Sequence, residues 1–109
     1  MTISIRAVGM ELTDAIRQYV EDKFQSLDKY EDSILQIDID LGKSTQHHHK
    51  GDVFMCSAVV QIPGDVLKIE KSEEDLYKAV DKVKDHYREA LVKIKEKHRD
   101  GKRHNEAKE

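Results

Sequence analysis

The stretch Val53-Phe54-Met55-Cys56-Ser57-Ala58-Val59-Val60-Gln61-Ile62-Pro63-Gly64-Asp65-Val66-Leu67-Lys68-Ile69-Glu70-Lys71 reads as two strands and a turn. Phe54, Cys56, Ala58, Val60 and Ile62 share one face, because successive side chains of a strand point to opposite sides. Pro63-Gly64-Asp65 holds the chain's single proline and is a turn signal. Beyond it Val66 to Lys71 alternates again, with Leu67 and Ile69 inward. The result is a hairpin with one apolar face, and that face needs a cover.

The cover follows at once. Ser72-Glu73-Glu74-Asp75 has the pattern of a capping box, with Ser72 as N-cap and Asp75 reaching back. Three acids there suit the positive end of a helix dipole. Leu76, Ala79, Val80, Val83, Tyr87, Ala90, Leu91 and Ile94 then form one apolar stripe over about five turns. Upstream, Ser33 to Leu41 alternates, with Ile37, Ile39 and Leu41 on one face and Gln36, Asp38 and Asp40 on the other, a strand with one wet face. Thr2 to Ala7 is a shorter strand of the same kind. Between these two, Thr13 is a fair N-cap for a helix ending near Lys29. Its stripe runs Ile16, Val20, Lys23, Leu27, widened by Leu12, Tyr19 and Phe24.

The order is β-α-β-β-β-α, an α+β two-layer sandwich with a four-stranded mixed sheet and both helices on one face. A right-handed crossover through the first helix makes strands one and two parallel and leaves the other pairings antiparallel. Residues 1–98 are expected to form the domain. Residues 99–109 have no apolar periodicity and are expected to be a charged, disordered tail.

A chain of 109 residues, 38% apolar and 38% charged, suits one modest core. One cysteine excludes an internal disulfide. No apolar run reaches the length of a membrane span, and the first residues lack the pattern of a signal peptide. The expectation is a cytoplasmic protein away from membranes. Net charge is −3, so any nucleic-acid role rests on where the cations sit.

Enzyme chemistry finds little support. There is no G-x-S-x-G, P-loop or H-E-x-x-H. Cys56 alternates with the core face, and a buried cysteine behaves as a small hydrophobe. Gln46-His47-His48-His49-Lys50 suggests a metal at first sight. Three consecutive imidazoles do not converge readily on one ion, and Cys56 points away from them. That run reads as a solvated loop, mobile in the free protein, or as a nucleic-acid contact. No metal, cofactor or small-molecule substrate is expected.

Cations carry the functional signal. Between Lys84 and Arg103 stand eight Lys or Arg against four Asp or Glu. On a helical wheel, Lys82, His86, Lys93 and Lys97 fall along one flank of the apolar stripe, and Lys84, Arg88 and Lys95 along the other. Such a ridge suits phosphate binding. It also suits a solvated helix with a cationic C-terminus, and the wheel alone does not choose.

Three stretches in order sharpen the reading: Ala15-Ile16-Arg17-Gln18-Tyr19-Val20-Glu21-Asp22-Lys23, then Asp28-Lys29-Tyr30, then Glu74-Asp75-Leu76-Tyr77-Lys78-Ala79-Val80-Asp81, with the Pro63-Gly64-Asp65-Val66-Leu67 hairpin between the last two. Together they resemble the ribosome hibernation promoting factor family, which includes the ribosome-associated inhibitor A, over roughly residues 1–98. The resemblance implies a fold like double-stranded RNA-binding domains and a non-enzymatic stress factor that binds the small ribosomal subunit. It implies a seat between head and body, over the sites of mRNA and tRNA, and a block of translation by occupancy. It implies a short form, a monomer when free.

The resemblance also implies rRNA contacts along both helices: Arg17, Lys23 and Lys29 from the first, and Lys93 and Lys97 from the second. His86 stands where the family usually has Lys, and Glu89 where it usually has Arg. Lys82 and Arg88 join the expected set, Lys82 by its wheel position and Arg88 by its place beside Glu89. A different class of function is a small homo-oligomeric interaction domain using the other sheet face, where Val53, Met55 and Val59 lie.

Overall fold

A computed structural model describes residues 1–44 and 51–108, with side chains through Lys97. The histidine run at 47–49 therefore lies outside the described residues. The strands are β1 (Thr2–Val8), β2 (Gln36–Ser44), β3 (Val53–Ile62) and β4 (Asp65–Glu73). Helix α1 spans Asp14–Gln25 and continues as one 3₁₀ turn over Ser26–Lys29; helix α2 spans Leu76–Lys108. The sheet order is β1-β2-β3-β4. β1 and β2 are parallel, with Ile3 opposite Ile37 and Ile5 opposite Ile39. β2–β3 and β3–β4 are antiparallel. This is the α+β arrangement expected from the periodicities.

Alternation puts Ile37, Ile39, Leu41, Cys56, Ala58, Val60 and Ile62 on the covered face, all buried. Val20, Phe24 and Leu27 come down from the first helical segment, and Leu76, Ala79, Val80, Val83, Tyr87 and Leu91 from α2, into the same core. Each large aliphatic or aromatic side chain fully withdrawn from water stabilises the fold by about 1.5–3 kcal/mol. Because one cluster takes residues from both helices and one parity of the sheet, both helices lie on one face. Tyr87 is the largest buried side chain, and its hydroxyl reaches the carbonyls of Ala58 (2.5 Å) and Leu67 (2.6 Å). Those carbonyls sit on neighbouring strands, so one side chain ties α2 to both β3 and β4.

Helix α1 begins as the sequence predicts: the Thr13 hydroxyl accepts from the Ile16 N–H at 3.2 Å. Helix α2 does not. Ser72 and Glu73 pair with Met55 and Phe54 in the β3–β4 ladder and stay extended. The cap is Asp75, whose carboxylate accepts from the Tyr77 N–H at 2.7 Å and from the Lys78 N–H at 3.4 Å. Glu73 and Glu74 thus precede the helix, and its first turn holds no acid. The ladder bonds outcompete the capping box, because a strand paired along its length satisfies more backbone groups than one side-chain cap.

At the other end α2 runs helically to Lys108, where an irregular tail was expected from residue 99. Lys, Glu and Arg are good helix formers, so the segment needs no apolar face to continue a helix already nucleated. One glycine is held by geometry. Gly9 follows β1 at φ +74°, and a Cβ there would lie 2.8 Å from the Lys43 carbonyl oxygen. Both facts exclude a side chain.

Candidate nucleic-acid interface

The two flanks of α2 face different neighbours. On one flank, Asp81 accepts the Tyr19 hydroxyl at 2.5 Å and pairs with Lys23 at 3.3 Å. Tyr77, one turn earlier on that flank, meets the Tyr19 ring edge to face at 4.7 Å and 87°. Lys23 also lies 5.4 Å from the centre of the Tyr19 ring. That flank, which includes Lys84, Arg88 and Lys95 by periodicity, looks toward α1. Burial pushes the Tyr19 hydroxyl's pKa up to about 12, and the hydrogen bond to the Asp81 carboxylate adds to the rise. A phenol beside a carboxylate keeps its proton because an anion there would be both desolvated and repelled.

The opposite flank carries Lys82, His86, Lys93 and Lys97, all exposed, and looks toward β4. Lys82 reaches back to Glu73 at 2.6 Å. The space between helix and strand is an open groove of about 480 Å³ lined by Lys71, Glu73, Lys82, Asp85, His86 and Glu89.

The eight expected contact residues therefore do not form one patch. Lys82, His86, Lys93 and Lys97 share the flank toward β4. Lys23 and Arg88 border the side where α1 meets α2. Arg17 is exposed and lies six positions before Lys23, about 120° away around α1 on the 3.6-residue period. Lys29 ends the 3₁₀ turn, exposed. Lys23 is only half-buried although the sequence placed it within an apolar stripe. The reason is visible: its stem lies along the stripe while its ammonium reaches Asp81, as long cationic side chains do.

Lys71 of β4 was missed. It shares the parity of Leu67 and Ile69 and pairs opposite Cys56 at the end of the covered face, while Lys82 and His86, which line the groove with it, lie on another element. Glu89 lines the groove together with Asp85 and Glu73, so three carboxylates face the two lysines there.

The base of the histidine loop is described even though the loop is not. Lys43 pairs with Asp52 at 3.3 Å and lies 5.8 Å from the centre of the Phe54 ring. Cys56 is wholly buried, and burial pushes its thiol pKa up to about 12. A thiol so held is a poor nucleophile and a poor ligand. No helix among the described residues is long and apolar enough to cross a membrane.

The uncovered sheet face is mixed rather than apolar. Across the strands run Ser4, Asp38, Val59 and Lys68 in one row and Arg6, Asp40, Ser57 and Glu70 in the next. Arg6 forks onto Asp40 at 3.0 and 3.3 Å. Val59 thus sits between Asp38 and Lys68, and the row of Arg6, Asp40 and Glu70 separates it from Met55, whose own row holds Val8, Gly42 and Ser72.

Comparison with known proteins places these features in context. The sigma 54 modulation protein / S30EA ribosomal protein family matches residues 3–99. A ribosome hibernation promoting factor of Acinetobacter guillouiae is 30% identical over 97 residues, 85% of this chain and 86% of its own length. Its counterpart in Escherichia coli is 30% identical over 97 residues, 89% of this chain and 96% of its own. Among solved structures, the N-terminal domain of Thermus thermophilus Protein Y superposes with a TM-score of 0.75 at 29% identity, covering 86% of this chain and 99% of that domain.

Proposed function

The chain belongs to the sigma 54 modulation protein / S30EA ribosomal protein family, that of the ribosome hibernation promoting factors, and from that premise we propose that it silences ribosomes by occupying the small subunit. The observation that carries this is the extent of the family match. Residues 3–99 take in nearly all of the sheet, α1 and much of α2, so the likeness extends over the folded unit rather than one motif.

In this reading the chain lies between head and body of the small subunit. It covers the mRNA and tRNA sites and blocks translation by occupancy, without catalysis, as a monomer in the cytoplasm. Lys82, His86, Lys93 and Lys97 supply one line of cations. Arg17, Lys23, Lys29 and Arg88 supply a second from the α1 side. Contacts to folded RNA fall mainly on phosphates and 2′-hydroxyls, so shape and charge govern recognition more than base sequence.

The test is co-sedimentation of the purified chain with small subunits at low and high salt. For about five neutralised phosphates, a fourfold rise in salt lowers affinity by roughly 10²–10³. Binding at low salt that is lost at high salt is the expected result. Absence from the small-subunit fraction at low salt overturns the proposal. Self-association through the outer sheet face is the reading least favoured by its interleaved charges.

A further inference from the structure

The basic flank of α2 has a gap in its middle. Between Lys82 and Lys93, the helix borders the groove shared with β4. Lys71 and Glu73 face it from the strand, and Lys82, Asp85, His86 and Glu89 from the helix. With a neutral imidazole these six side chains sum to −1, two ammoniums against three carboxylates. With an imidazolium they sum to zero. The Lys82 ammonium is already matched by Glu73 at 2.6 Å. An RNA backbone that follows the flank from Lys82 to Lys93 must cross this acid-biased segment.

We propose that Lys71, Lys82 and His86 form a phosphate subsite in this groove, and that an RNA phosphate enters it together with a proton on His86. The inference rests on the RNA-binding reading above and names its regulation.

Imidazole is the side chain whose unperturbed titration lies between pH 5 and 8. Asp85, Glu89 and Glu73 favour its cation; Lys71 and Lys82 oppose it. A phosphate entering between the two lysines offsets their opposition and adds its own attraction. Proton and phosphate therefore favour one another, and the coupling is reciprocal. A lysine in this place would carry its charge at any physiological pH. His86 makes the contact conditional, so that mild acidification strengthens ribosome binding. Sequence reading placed His86 on the ridge beside Lys82, Lys93 and Lys97. The groove shows why the difference has a direction: neighbours from two elements leave the site one charge short.

The experiment measures affinity for purified small subunits at pH 6 and pH 8, at fixed low salt, for the full chain and for His86→Lys, His86→Gln and Lys71→Gln. His86 is exposed and Lys71 partly exposed, and thermal melts confirm that each variant folds. The original chain should bind about 3- to 10-fold tighter at pH 6, the response of up to one proton taken up. His86→Lys should hold that tighter affinity at pH 8 and lose most of the response. His86→Gln should lose the response while staying at the weaker level. Lys71→Gln should reduce the salt slope by about one phosphate contact. Any titration of the subunits themselves appears equally in every variant. A pH response that survives in His86→Gln, or a chain that binds with no response, overturns this inference and leaves the proposed function standing. An unchanged salt slope in Lys71→Gln also overturns the subsite. A chain that fails to bind small subunits at either pH overturns both.

Discussion

Asp81 is where stability and RNA binding are set against each other. Its carboxylate accepts the Tyr19 hydroxyl at 2.5 Å and pairs with Lys23 at 3.3 Å, fastening α1 to α2. Replacing it by Asn keeps an acceptor of the same shape and removes the charge. A hydrogen bond to a charged group contributes about 1.5–3 kcal/mol against about 1 for a neutral one. The Lys23 pair is roughly 40% exposed on both sides, at 37% and 42%, and solvent screening limits it to about 0–1 kcal/mol. Asp81→Asn should therefore lose about 1–2 kcal/mol, a fall in Tm of about 4–10 °C for a domain of this size. The Tyr19 hydroxyl should titrate at lower pH than before, while staying above an ordinary tyrosine because burial remains its largest perturbation. In the proposed RNA interface the same substitution frees Lys23 and removes an anion, so affinity for small subunits should rise several-fold with a steeper salt dependence. Thermal melts, tyrosine absorbance titration and subunit binding read the three effects separately. An unchanged Tm together with an unchanged Tyr19 titration would refute the helix-to-helix clamp. A fall in affinity in a folded variant would mean that Asp81 positions Lys23 rather than competing for it.

Three further outcomes follow from the same geometry. Lys93→Glu combined with Lys97→Glu should abolish subunit binding at moderate salt with Tm nearly unchanged, since both side chains are exposed; Arg88→Glu, on the other flank, should weaken binding less if the β4-side flank is the main contact, and comparative co-sedimentation decides this. Tyr87→Phe leaves the Ala58 and Leu67 carbonyls without their buried hydroxyl and should destabilise by about 2 kcal/mol in chemical denaturation; a loss below about 0.5 kcal/mol would refute the bridge. Cys56 should resist alkylation in the folded protein, and stability should fall as pH rises past about 9, because the unfolded thiol and phenol ionise near pH 8.5 and 10 while folded Cys56 and Tyr19 hold their protons to about 12. Groups raised in this way stabilise fully below their unfolded pKa and stop doing so as pH climbs through the folded one. Denaturation midpoints at pH 8 and 10.5 check the sign.

Much of the fold was legible because each element advertises its buried face locally. Phe54, Cys56, Ala58, Val60 and Ile62 show a strand through a period of two, and Leu76 through Ile94 show a helix through a period of 3.6. The hairpin turn and the Thr13 cap are local as well. The α2 cap was misread for a reason of the same kind: Ser72 offers a capping pattern within four residues, while the ladder that holds it extended depends on Met55, far away in sequence.

The candidate site was legible only as a list of cations. The wheel separates Lys82, His86, Lys93 and Lys97 from Lys84, Arg88 and Lys95, yet it does not say which flank meets α1 and which meets β4. That choice belongs to the packing of α2 across the sheet. It joins Asp81 to Tyr19 and Lys23, and brings Lys71 and Glu73 beside Lys82 and His86. Periodicity along one chain segment determined the strands, the helices, their order and the residues that carry charge, because burial of one face is a local demand. Which charges meet, and so which cations are free for a phosphate, was decided by tertiary structure alone, because Coulomb attraction depends on distance in space and is indifferent to distance along the chain.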